Sequence, residues 1–155
     1  MASRGPLNYT TSVEPDKSAI ECIGILTKHG ATHAGLAIGE DRMPDGIEFV
    51  IRTQFGPRQY SLDVDAAGAQ KVLMKAWRDC KIERRYTEPV QARRVAWRVM
   101  KDWLEAQMAL VEIGLRDLPQ VMLPYMKVDG NHTLYGAWLE REQLALETGQ
   151  GPAGE

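Results

Sequence analysis

Thr87–Arg116 reads T-E-P-V-Q-A-R-R-V-A-W-R-V-M-K-D-W-L-E-A-Q-M-A-L-V-E-I-G-L-R. No proline interrupts it after Pro89, and its single glycine, Gly114, falls near the end. The Thr87 hydroxyl is placed to cap a first turn, and Glu88 and Pro89 suit the opening helical positions. The stretch predicts one helix of about 28 residues, about 42 Å long at ~1.5 Å per residue. That is far above the three-turn average, so this helix is the element around which the rest of the chain must pack.

Its apolar residues form two stripes. Ala92, Ala96, Val99, Trp103, Ala106, Leu110 and Ile113 follow alternating spacings of four and three, which places them on one face. Trp97, Leu104, Met108, Val111 and Leu115 make a second line, and Gln91, Arg94, Arg98, Lys101, Glu105 and Glu112 form a polar face between them. Two stripes predict either one face for the chain's own core and one for a second copy, or a central helix buried on both sides.

The composition bounds the rest. With 155 residues, 44% hydrophobic and 26% charged, the chain reads as one α+β domain over residues 1–147 with a flexible, glycine-rich tail at 148–155. A net charge of −2 argues against a general affinity for nucleic-acid polymers or membranes, so any anion site must be local. Cys22 and Cys80 are expected as buried helical thiols rather than a disulfide. The polar N-terminus and the lack of an apolar run of about 18 residues give neither a signal peptide nor a membrane span. The expected location is the cytoplasm.

Outward from the long helix, the pattern alternates cleanly. Residues 1–11 look extended, with Asn8–Thr11 (N-Y-T-T) as a candidate edge strand or arm. A helix then starts at Ser12 or Glu14, with Pro15 in its first turn and an apolar stripe of Ala19, Ile20, Ile23 and Leu26, and stops at Lys28-His29-Gly30. From Thr32 the period is two: Ala34, Leu36 and Ile38, then Ile47, Phe49 and Ile51, then Tyr60, Leu62 and Val64. Turns are expected at Met43-Pro44-Asp45-Gly46 and Phe55-Gly56-Pro57-Arg58. Asp65 caps a second helix with the stripe Ala69, Val72, Leu73, Ala76, Trp77 and Cys80. After the long helix, Val121, Met122, Leu123 and Tyr125 are expected buried. Asp129-Gly130 suggests a small hairpin with Thr133, Leu134 and Tyr135, and Leu139–Leu146 a short helix or an arm reaching a neighbour. The predicted fold is an N-terminal helix, a small antiparallel three-stranded sheet, a helix, the long helix, and a short C-terminal hairpin and helix.

No catalytic set emerges. His29, His33 and His132 lack metal-ligand spacing, and Asp63 and Asp65 with Glu40 or Asp41 resemble ordinary charged turns. Phosphate loops, nucleophile elbows and dinucleotide fingerprints are missing from the sequence. No metal, cofactor or enzymatic activity is expected. A binding site is better supported. Arg84, Arg85, Tyr86, Gln91, Arg94 and Arg98 bring cations and a flat ring into one short region, and Phe55, Arg58 and Tyr60 form a second aromatic–basic cluster. Arginine suits forked contact with phosphate. The alternative for the first cluster is a solvated basic face, with Arg98 paired to Asp102 and Lys101 to Glu105.

The block Gln91–Ala109, with Asn8–Thr11, Lys28–Ala31, Leu123–Tyr125 and Asn131–Tyr135, resembles a group of small phage and prophage proteins that is itself similar to the phage anti-Thoeris sponges. That resemblance implies a homo-oligomer, a dimer or a hexamer of dimers, which binds cyclic-nucleotide immune signals in the host cytoplasm during phage infection without cleaving them. The ligands implied are cyclic ADP-ribose isomers and cyclic oligonucleotides. Arg94 and Arg98, at matching positions, would contact phosphate; Arg84, Tyr86, Gln91, Phe55 and Arg58 are further candidates on chemistry alone. The competing expectation is an oligomeric protein-interaction module, a phage inhibitor or accessory protein with no small-molecule ligand.

Overall fold

The computed structural model describes residues 4–149. The expected tail beyond Gly149 lies outside them. In order come α1 (Pro15–Lys28), β1 (Ala31–Ile38), β2 (Pro44–Thr53), β3 (Gly56–Asp63), α2 (Ala66–Arg78), α3 (Pro89–Glu112), α4 (Leu118–Met122) and α5 (Leu134–Glu147). The α+β class and its order of elements are as the sequence predicts.

α1 opens on Pro15 and closes where the His29 ring meets the Ile25 carbonyl at 2.7 Å. Its buried line is Ala19, Cys22 and Leu26, whereas Ile20 is exposed. The Ser18 hydroxyl is buried without a hydrogen-bond partner.

The sheet is antiparallel in the order β1-β2-β3. Ile47, Phe49 and Ile51 alternate inward as predicted, and Phe49 stacks on Tyr60 with ring centroids 5.4 Å apart. Ile38 does not follow. A register shift between Ala37 and Ile38 reverses the alternation, and Ile38 is exposed. The first reversal also falls earlier than Asp45-Gly46, at Glu40–Met43, with Arg42 at φ 61°. Gly46 lies within β2, where a Cβ would meet the Leu62 carbonyl oxygen at 2.8 Å. Its glycine serves close strand approach rather than a turn. The second hairpin turns at Gln54-Phe55, closed by Gly56 at φ 95°.

Asp65 caps α2 as expected, accepting from the Gly68 amide at 2.7 Å. Only Leu73 and Ala76 of its stripe are fully buried. Cys80 lies past the helix end at φ 56° and is exposed, against expectation. Asn8–Thr11 is likewise a turn rather than a strand.

α3 is 24 residues long, about 36 Å by helical rise. Thr87 does not cap it. Thr87 ends a 3₁₀ turn (Arg84–Thr87) and its hydroxyl donates back to the Arg84 carbonyl at 2.7 Å, leaving Glu88 as the N-cap residue. The second stripe enters the main core: Trp97, Leu104 and Met108 are buried, and the Trp97 indole donates to the Pro44 carbonyl at 3.2 Å. Of the first stripe, Ala92 is buried with α2, while Ala96, Val99 and Trp103 are partly open.

Beyond α3, Met122 is buried, but Leu123 turns out to solvent in a 3₁₀ turn, Leu123–Tyr125. The expected hairpin shrinks to a single bridge between Lys127 and Thr133. Thr133 then caps α5, so Leu134 and Tyr135 are helical. No residue of α5 is buried.

Candidate functional site

The basic residues of α3 find their counter-charges inside the chain. Arg94 donates to Glu14 at 2.6 Å and 3.1 Å, and Arg98 to Glu21 at 2.9 Å. Lys101 meets Glu105 at 2.7 Å and also approaches Glu21 at 4.0 Å. Asp102 takes no part with Arg98; it accepts instead from the Asn8 amide at 2.7 Å. Gln91 is buried, its amide donating to the carbonyls of Tyr9 and Thr11, both at 2.9 Å. Tyr86 meets Tyr9 edge-on at 5.2 Å and carries the Arg85 guanidinium over its ring at 4.8 Å. Arg84 lies over Trp77 at 5.7 Å. These residues stitch α3 to α1, to the N-terminal turn and to α2. A phosphate at Arg94 or Arg98 would have to displace a glutamate.

The second cluster is arranged differently. Phe55 stands at the tip of the β2–β3 hairpin with 75% of its surface exposed. Arg58 is paired in register with Ile51, so it springs from the core-facing side of the sheet, just past the end of the core. Together with Arg52, Tyr60, Asp117, Leu123 and Met126 they border a cleft of about 550 Å³ between the hairpin tip and α4. Among the described residues neither Arg52 nor Arg58 is in an ion pair; Arg58 donates only to its neighbour's carbonyl, that of Pro57, at 3.0 Å. Asp117 is occupied by the Gln120 amide at 2.8 Å as the cap of α4. Burial pushes the Tyr60 phenol above its ordinary pKa, so it stays a neutral hydrogen-bonding group.

The two clusters do not merge. Arg94 sits near the start of α3 and Asp117 beyond its end, and the 18 residue steps from Arg94 to Glu112 alone span about 27 Å. Arg52, Asp117, Leu123 and Met126 were not legible as site residues. The hairpin register pairs Arg52 with Pro57 rather than with Arg58, so it gave no signal for Arg52; the other three depend on the path taken after α3.

A separate acidic recess, lined by Glu40, Asp41, Asp45, Asp63 and Asp65, is bridged by Arg93, which bonds the Asp41 carboxylate. The Met43 amide and that guanidinium hold Asp41 below the usual carboxylate range. Among the described residues no three His, Cys, Asp or Glu side chains are placed to hold a metal ion. No helix among them is long and apolar enough to cross a membrane. The chain has no significant match among protein-family models, curated proteins or solved structures.

Proposed function

We propose that the chain is a homo-oligomeric phage anti-defence protein that sequesters a cyclic-nucleotide immune signal without cleaving it, with the ligand held in the cleft at the hairpin tip. One observation carries the location: Arg58, which is in no ion pair among the described residues, springs from the core-facing side of the sheet and borders one cleft with the exposed Phe55 and the apolar Leu123 and Met126, with Arg52 also on its border. Arginine forks suit phosphate oxygens, and a ring on an apolar wall suits a base. A volume of about 550 Å³ falls within the range of small-molecule sites. The resemblance of the α3 block to sponge-like phage proteins supports the ligand class.

The test is thermal melting with a panel of cyclic ADP-ribose isomers and cyclic di- and trinucleotides, followed by heat denaturation and analysis of the released ligand. Ligand at a hundred times its Kd adds about 2.7 kcal/mol, a rise of roughly 5–10 °C for a chain of this size. Phe55→Ala and Arg58→Ala should abolish that rise while leaving the unliganded melting temperature nearly unchanged, since both side chains are exposed. Altered ligand on release would make the protein an enzyme and overturn the proposal. A flat panel would favour the interaction module, which the wholly unburied α5 supports on its own account.

A further inference from the structure

Buried polar groups in folded proteins are nearly always hydrogen-bonded, and most of those in this chain are. The Trp97 indole donates to Pro44, the Gln91 amide to Tyr9 and Thr11, and the Thr87 hydroxyl to Arg84. Tyr60 departs from the rule. It is only 1% exposed, with its ring stacked on Phe49 in the main core, yet among the described residues its hydroxyl makes no hydrogen bond. The Ser18 hydroxyl shares that lack but is sealed inside the core. Tyr60 instead borders the cleft at the hairpin tip. Arg58 precedes it by two positions on β3, so both side chains leave the core-facing side of the sheet. Burial raises the pKa of the phenol; of the charges acting on it, Arg58 opposes that rise and Asp117 adds to it. Both of those residues line the same cleft, so the oxygen lies at the cleft end of the ring.

We infer that the Tyr60 hydroxyl is a ligand contact, donating to a phosphate oxygen that the Arg58 guanidinium also holds. The inference rests on the cleft proposed above as the ligand site, but not on the ligand being a cyclic nucleotide. Its chemistry follows from matching donors to acceptors. A phenol kept neutral has a proton to give, and Arg58 donates only to the carbonyl of its neighbour Pro57, at 3.0 Å. Two donors on one side of a strand, one of them charged, suit a group with several acceptor oxygens and a negative charge. The carboxylate at this end of the cleft, Asp117, is engaged by the Gln120 amide at 2.8 Å, and Arg52 and Arg58 on the border outweigh its single charge. A hydrogen bond made at a largely desolvated oxygen is also stronger than one at the surface. Phenylalanine would fill the same space without leaving a donor unmet, so packing alone does not account for the hydroxyl.

The test is Tyr60→Phe in the full chain, read by thermal melting and by calorimetric titration. The probes are the cyclic nucleotides named above and inorganic pyrophosphate. Without ligand the variant should melt no lower than the wild type, because the change removes a donor that has no partner. Binding should weaken about ten- to a hundredfold, as for the loss of one hydrogen bond to a charged group. A fall in the unliganded melting temperature of more than about 2 °C would show that the hydroxyl serves the fold, and would overturn the inference. Unchanged affinity for a cyclic nucleotide would overturn it too, while leaving the proposed sequestration standing. Pyrophosphate bound in a Tyr60-dependent way, with no cyclic nucleotide bound, would do the reverse. If neither kind of probe binds the wild-type chain, both readings fall.

Discussion

The two cysteines show how little a side chain's type says about its reactivity without its surroundings. Cys22 lies on the buried face of α1, and its thiol is pushed up to about 12, first by burial and then by the Glu21 carboxylate beside it. Cys80 follows α2 in a left-handed conformation and faces solvent. At pH 8 a disulfide reagent should therefore label one thiol of the native chain at once and the second only on unfolding. Two fast-reacting thiols would mean that α1 leaves the core readily. The sequence did not separate these residues, because Cys80 continues an apolar stripe whose helix has already ended at Arg78. Arg94 and Arg98 show a different limit. Their helical face was legible from spacing alone. Their partners, Glu14 and Glu21, lie about 80 residues away, beyond anything that local periodicity encodes.

At the scale of elements, strands and helices were legible because burial imposes a period on the sequence, whereas turns were not, since Asp-Gly serves close packing as well as reversal. α5 is the element whose place depends most on polar contacts. His132, in the loop before it, contacts Asp129 at 3.1 Å and Glu140 of α5 at 2.9 Å. The hydrogen bonds to Asp129 and then Glu140, with their negative charges, raise the His132 pKa; the Asn131 amide, followed by His132, lowers that of Asp129. The folded pKa of the histidine lies above its unfolded value of about 6.5. Its contribution is therefore fully present below that value and is lost as pH rises through the folded pKa. Backbone amides at the start of α5 should exchange faster with solvent at pH 8 than at pH 6, after correction for intrinsic rates. In His132→Gln that difference should vanish. Equal protection at both pH values in the wild-type chain would show that Thr133 capping alone holds the helix start.

At the scale of the whole molecule, the charged face of α3 and the cleft at the hairpin tip are separate regions. The polar face is joined to α1 along the full length of that helix: Glu14 to Arg94 at one end, Glu21 to Arg98 in the middle, and His29 to Glu112 at 2.7 Å at the other. The apolar lines on either side meet the sheet and α2. Such partly buried pairs hold the scaffold, while the cleft at the hairpin tip, supported from behind by Tyr60 and α4, is free to change without loosening it. Paired substitutions should expose that division. Arg94→Ala with Arg98→Ala removes the charge-assisted hydrogen bonds to a largely exposed Glu14 and to Glu21, which Lys101 still approaches, at a cost of roughly 1–3 kcal/mol. A fall in melting temperature of about 2–10 °C should follow, with the rise on adding a cyclic nucleotide preserved. Arg52→Ala with Arg58→Ala should shift unliganded stability by no more than about 0.5 kcal/mol, as for other exposed side chains, yet lose the nucleotide-dependent rise. The reverse pattern would move the ligand to α3, with phosphate displacing Glu14 and Glu21 from the same two arginines, and would make the ion pairs with α1 a closed state of the site.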